Sequence, residues 1–400
     1  METRLPKYLF NRNEFAGAMG DLGTILPIAL GMILVNGLDP VGLFFSMGLF
    51  YIVGGVYYGI TVPVQPMKVI GTYAIATAMT ADQIQASALL MFVCLVLIGA
   101  TGSMDKFSKY IPRSVIRGIQ LSTGLLLMIK GMKMILGKAL LKGAEQVAEP
   151  YLRIQYAGTI PITVIIGICG IVVTLVFLNN KKLPAALIVI ALGLFLGLIL
   201  GTKEGLDTLK PGLYFPRLFP HGLPALPDFT FALFAVVLPQ IPMTLGNAVI
   251  AQADLSKDYF GDNAKKMTYT ALCFSMAVGN LLSFMFGGMP VCHGAGGLAA
   301  HYRFGAKTAG SNLIIGGIMA GLALVLGAGF LYVLFLIPMS ILGVLLVFAG
   351  GQLALTISDM HTRNELFVIM IIFALTLSAN LALGSVVGII LAYAIKKVEI

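Results

Sequence analysis

The chain is a succession of apolar blocks separated by short polar joints. The stretch "ALIVIALGLFLGLIL" (Ala186–Leu200) is apolar on every face. A helix in lipid requires that, whereas a barrel strand alternates apolar and polar residues over about 10 positions. Comparable blocks run over 14–35, 41–60, 84–102, 113–136, 156–178, 184–201, 229–252, 267–286, 310–329, 331–355, 365–379 and 380–396. They predict twelve full helical spans.

Two stretches, 61–80 and 287–303, do not fit this pattern. Each joins a Pro- or Gly-bearing piece to a short helical run. "VIGTYAIATAM" (Val69–Met79) would be roughly 16 Å long at 1.5 Å per residue, about half of a ~30 Å hydrocarbon core. Each stretch therefore reads as an extended piece plus a half-helix that together make one crossing. Counting both, the expected fold is an all-α polytopic membrane protein with fourteen segments. The interrupted segments fall third in each of two sets of seven, 14–201 and 229–396. They also resemble each other: "PVQPMKVIGTYA" starts at Pro63 and "PVCHGAGGLAAH" at Pro290. Seven is odd, so the second set must be inverted relative to the first. The expected division is 1–201 for the first repeat, 202–228 for an extracytoplasmic linker and 229–400 for the inverted second repeat. Matching interrupted segments in two halves mark a transporter's binding site.

Composition agrees. The chain is 58% hydrophobic with 11% charged residues, against roughly 25% charged in soluble domains. The net charge of +9 does not point to nucleic acid. With the N-terminus inside, sixteen basic residues fall in cytoplasmic joints and six (Lys138, Lys142, Arg153, Lys203, Lys210, Arg217) outside, following the positive-inside rule. That arrangement predicts a multi-pass protein of the cell membrane, with both termini cytoplasmic and the lipid bilayer as its partner. "METRLPKYLFNRNEF" lacks the apolar core of a signal peptide. Cys94, Cys169, Cys273 and Cys292 form no CxxC pair, so neither a disulfide framework, a metal site nor a cofactor is indicated. No nucleotide motif or catalytic triad is present, so an enzyme is not expected.

The broken segments carry the candidate chemistry. Non-helical backbone at membrane depth is tolerated only where protein or a wet cavity surrounds it. Pro63 and Pro66 keep Thr61–Pro66 extended, and the first half-helix should start near Met67. Pro290 acts similarly, and the second should start near His293 or Gly294. Inversion makes the two N-termini face each other near the midplane. Their free N–H groups and partial positive charge suit an anion. Gly294, Gly296 and Gly297 suit close approach of backbone to ligand, with tight helix packing as the competing role.

Lys68 in the first turn opposes the helix dipole, which marks it as added charge for an anion. A salt bridge to Asp21 or snorkelling to the inner interface is its alternative. Asp21, in "GAMGDLGTILPI", could partner Lys68, carry a coupled proton, or cap a break in its own helix. His293 and Gln65 could donate N–H groups to an oxyanion, and Gln240 and Asn247 lie in the matching first span of the second half. Cys292 and Ala295, beside His293 and Gly294, complete the candidate substrate-binding set, with packing as the competing role of Cys292. Arg117, Lys130 and Lys133, near span ends, read as snorkelling, and Arg303 and Lys307 as loop anchors. Phe229–Ala253 and Gly287–Leu313 hold no acid. A nucleobase or cation site would call for a carboxylate. A donor-rich, net positive site fits a small oxyanion instead.

"GDLGTILPIALGM", "PVQPMKVIGTYA" and "GGMPVCHGAGGLAAHYRFGAKTAG" resemble the signatures of the molybdate transporter family related to the sulfate permeases. The resemblance covers nearly the whole chain. It implies molybdate uptake and a fold of seven plus seven inverted segments, shared with sulfate permeases and nucleobase transporters. Segments 1–4 and 8–11 would form a core domain and 5–7 and 12–14 a gate domain, through which this fold often dimerises. The chain ends soon after its last span, so the regulatory domain typical of sulfate permeases is not expected. Residue types alone leave sulfate, tungstate and molybdate equivalent as tetrahedral dianions. A nucleobase transporter on the same fold is the other alternative.

Overall fold

The computed structural model describes residues 6–102, 112–137, 155–178, 180, 185–200, 206 and 209–398. The charge expectations for Arg4, Lys106, Lys109, Lys138, Lys142, Arg153, Lys181, Lys182 and Lys203 fall outside the described residues. So does part of the 202–228 linker.

The described chain is a helical membrane protein. Among the described residues, seven helices are long and apolar enough to cross a bilayer: Pro40–Tyr58, Ala81–Thr101, Arg113–Ile135, Leu226–Ala264, Tyr269–Phe286, Ala309–Phe335 and Met339–Asp359. Arg12–Met19 and Leu22–Asn36, bent by 43°, make an eighth if counted as one span. Ile162–Phe177 and Ala185–Leu200 are shorter apolar helices, and Arg363–Ser378 and Leu381–Val398 end the described chain.

Polar caps set several helix starts where apolar runs begin. Asp39 accepts from the Gly42 amide at 2.8 Å, with Pro40 just inside the helix. Capping boxes at Thr80/Gln83 and Thr362/Glu365 open two more helices. Each satisfies amides that the first turn leaves unpaired.

Four expected boundaries shift. The first span breaks at Gly20–Asp21 because its two pieces pack on different neighbours. Arg12–Met19 lies against the second half-helix and the helix that follows it, and Leu22–Asn36 lies against the first half-helix. The expected joint at 330 is only a 3₁₀ bend, Gly327–Gly329. The helix runs on to Phe335, and Pro338 starts the next one. The block expected to span from 156 begins instead with a small hairpin, Tyr156–Ala157 paired with Ile160–Pro161 around Gly158 at φ 66°. In Leu226–Ala264, two π-helical stretches, Leu233–Val237 and Thr244–Ile250, flank Pro239 and Pro242. Proline lacks the N–H that an α-turn needs, and the local winding relaxes around it.

Helix–helix contact rests on small residues. Gly48 faces Gly316, Gly124 faces Gly350, and Gly131 faces Gly343. At each, a Cβ would come within 2.5–2.6 Å of the partner's carbonyl oxygen. Lipid supplies no hydrophobic drive between helices, so such close backbone approach is a main source of packing energy. Arg113–Ile135 packs against Met339–Ala354, Pro40–Tyr58 against Ala309–Leu326, and Ala81–Thr101 against Tyr269–Phe286.

Candidate functional site

The two interrupted segments meet. Gln65–Pro66 and Val291–Cys292 form an antiparallel pair, with Gln65 opposite Cys292 and Pro66 opposite Val291. The Met67 amide donates to Pro290 O at 2.9 Å. The half-helices Lys68–Thr77 and Ala295–Arg303 start from this crossing, within one or two residues of the expected positions. Two prolines and a glycine-rich turn keep these pieces from continuing as helix.

Buried asparagines hold the extended backbone. Asn312 accepts from Val62 N at 2.9 Å and donates to Val62 O at 2.7 Å. Asn280 brackets Val291 in the same way, at 3.2 and 2.9 Å. Tyr51 donates to Val64 O and Gln85 to Gly288 O. Each bond answers a peptide group that would otherwise be orphaned in an apolar interior.

The half-helix N-termini differ. On the first, Gln240 Oε1 accepts from the Val69 and Ile70 amides at 2.9 and 3.3 Å, and its Nε2 donates to Thr244 at 2.9 Å. Gln240 thus caps the first half-helix from a distant helix. Gln240→Leu is expected to cost about 1 kcal/mol, the worth of a helix cap. A lower Tm of the purified protein in detergent is the readout. On the second, the Gly297 amide bonds Gly294 O at 2.9 Å. The amides of Ala295 and Gly296 have no partner among the described residues.

Lys68 reaches across to this open end. Its Nζ lies 4.0 Å from where a Cβ on Gly296 would sit. No ion pair joins Lys68 to Asp21 among the described residues. Asp21 is buried, and its Oδ1 accepts from Gln65 Nε2. Its Oδ2 has no hydrogen-bond partner among the described residues and faces Gly297, 2.6 Å from that residue's Cβ position. The carboxylate makes no cap on its own helix. It sits instead by the first turn of the second half-helix, where the dipole favours negative charge.

A cavity of about 420 Å³ opens beside this crossing. Gln65, Lys68, Thr72, Arg117, Gln120, Asn247, Gly296, Gln352 and Thr356 are among its lining residues. A larger cavity, about 600 Å³, lies between residues 33–41, the 214–221 segment and residues 327–335. It touches neither half-helix start, so the smaller one is the candidate site.

Of the residues singled out from sequence, Gln65, Lys68, Gly296 and Asn247 line the cavity. Asp21, Gln240, Gly294 and Ala295 stand behind them. His293 and Cys292 are turned away. His293 Nδ1 is 2.8 Å from Pro63 O and Nε2 is 2.8 Å from Ser275 Oγ, with the ring stacked on Phe50. Both ring nitrogens are thus engaged in holding the extended piece. Cys292 is buried, with Sγ 4.0 Å from Pro66 O. Arg117, read as snorkelling, lines the cavity together with Gln120 and Thr356, which sequence reasoning passed over.

Known proteins share the family and the fold of this chain. A family model described as "Molybdate transporter of MFS superfamily" matches residues 13–127 and 232–353. Molybdate transporter 2 of Arabidopsis thaliana is 33% identical over 96% of this chain and 87% of its own length. Molybdate transporter 1 of Chlamydomonas reinhardtii is 28% identical over 97% and 92%. Among solved structures, the transmembrane domain of the cyanobacterial bicarbonate transporter BicA superposes with a TM-score of 0.66 at 17% identity, covering 96% of this chain and 98% of that one. Murine Slc26a9, an anion transporter in its inward-facing state, superposes at 0.70 and 15% identity, covering 99% and 70%. The fold is therefore of the type shared by BicA and Slc26a9. The chain belongs to the molybdate transporter family.

Proposed function

We propose that the protein is a secondary transporter that binds molybdate between the two half-helix starts and carries it across the membrane by alternating access. One observation carries this reading. Gly296, whose amide has no partner among the described residues, and Lys68 line one cavity at the crossing of the interrupted segments, and the unpartnered Ala295 amide is next to Gly296. Helix N-termini at a broken crossing bind anionic groups through N–H donors and the dipole. The family supplies the metal; the donors supply only the class, a tetrahedral dianion. Gln65 and Asn247 add side-chain amide donors, and Gln240 fixes the first half-helix. Asp21 is the counter-charge to Lys68 in the empty site.

The proposal includes fourteen segments in two inverted sets of seven, 1–201 and 229–400, joined by 202–228. Exchanging the halves maps the packing of Pro40–Tyr58 on Ala309–Leu326 onto that of Tyr269–Phe286 on Ala81–Thr101. It maps the antiparallel strand pair onto itself. Core and gate would then be segments 1–4 with 8–11 and 5–7 with 12–14, with both termini on the cytoplasmic side of the cell membrane and a homodimer formed through the gate.

Equilibrium binding to purified protein tests the substrate class. Saturable molybdate binding, displaced by tungstate, is expected, with uracil and xanthine inert. Binding of uracil without any oxyanion would contradict the proposal.

A further inference from the structure

The cavity that Lys68 lines carries a second cation, Arg117. Arg117 lies near the start of Arg113–Ile135. Its Nε donates to Asp359 Oδ1 and Oδ2 at 2.9 and 3.1 Å, its Nη2 also bonds Asp359 Oδ2, and its Nη1 donates to Gln120 Oε1 at 2.8 Å. Thr356 donates to the same Gln120 oxygen at 2.9 Å. One N–H on each Nη is left without a partner among the described residues.

Three features separate this pair from an ordinary surface ion pair. Arg117 lines the cavity that holds Lys68 and Gly296. The guanidinium is held in place by Gln120, itself fixed by Thr356, so its fork keeps one orientation. The two carboxylate oxygens of Asp359 occupy the position that two oxygens of a tetrahedral oxyanion would take on a guanidinium fork. Asp359 is partly exposed, its side chain retaining 45% accessibility against 27% for Arg117, so the acid can leave for water while the base stays.

Charge gives this a purpose. At the half-helix crossing, the Asp21 carboxyl group offsets part of the Lys68 charge, and the helix N-termini add roughly +0.5 each. A cation from another helix adds to the positive charge that faces a dianion.

We propose that Arg117 is a second anion-binding residue on the substrate's path, and that Asp359 is a tethered carboxylate that occupies its fork until the oxyanion displaces it. The inference rests on the oxyanion site proposed above. Arg117 and Asp359 come from Arg113–Ile135 and Met339–Asp359, whereas Lys68 and Gly296 come from the half-helices. The anion then bridges two packed bodies, and the cavity gains its second positive charge only when filled.

Calorimetric titration of molybdate into the purified full chain tests it, with Lys68→Ala as the control for the underlying site. Asp359→Asn is expected to tighten molybdate several-fold, because a weaker competitor holds the fork. Arg117→Gln is expected to weaken it about tenfold, and Arg117→Lys, which keeps charge without the fork, by less. In the Arg117→Gln background, Asp359→Asn should give no gain. The proposal is overturned if Asp359→Asn leaves affinity unchanged or lowers it, or if Arg117→Gln lowers Tm without moving affinity. Either result combined with a large loss in Lys68→Ala would leave the half-helix site standing and remove Arg117 from it. A wild-type chain that binds no oxyanion would overturn both readings.

Discussion

Lys68→Ala is expected to weaken molybdate binding on the order of 30-fold or more while leaving the fold intact. Truncating one partner of a desolvated charge pair costs about 2 kcal/mol or more, and each 1.4 kcal/mol is tenfold in affinity. The fold should tolerate the change because the Lys68 ammonium makes no ion pair or hydrogen bond among the described residues. Lys68→Arg should recover part of the affinity. Calorimetry with a Tm control separates the two effects. An unchanged dissociation constant for Lys68→Ala would remove the ammonium from the site.

Gly297→Ala should abolish transport and destabilise the protein by about 1–3 kcal/mol, the usual cost of overpacking. The new Cβ would lie 2.6 Å from Asp21 Oδ2, 2.6 Å from Pro63 Cβ and 2.9 Å from Gln65 Nε2. All three neighbours are buried and tied into the crossing, so the half-helix itself must shift. Gly296→Ala is the matched control. Within 4 Å its Cβ meets only Lys68 Nζ, at 4.0 Å. It should fold with normal Tm yet bind molybdate less well, because its methyl group sits at the mouth of the site. Uptake into sealed vesicles and Tm in detergent read both variants. Normal uptake by Gly297→Ala would show that the two half-helices need not meet as closely as described.

The half-helices were legible because their cause is local. Prolines at 63, 66 and 290 and runs too short to span are sequence properties, and they set the starts at Lys68 and Ala295. The helix ends were legible where a cap or proline is decisive, but not at 330, where three residues of 3₁₀ turn carry the helix on to Phe335. Side-chain directions were the least legible. The helix position of Gln240 was clear, but its bond to Val69 spans 171 residues of sequence, and that of Arg117 to Asp359 spans 242. Such bonds depend on how the halves pack, which no local pattern encodes. His293 shows the same limit. Its place at the turn was correct, but Ser275 and the Pro63 carbonyl take both ring nitrogens. Asn280 and Asn312 carried a usable signal, as polar residues inside apolar blocks. Their position gave no hint of which backbone they would hold.

The most direct test of the central claim is a structure of the protein with tungstate, whose heavy atom is located by its anomalous scattering. One tungsten peak beside the Ala295 and Gly296 amides and the Lys68 ammonium is the predicted result. A peak confined to the cavity by residues 214–221, or none at a concentration that saturates binding, would contradict it.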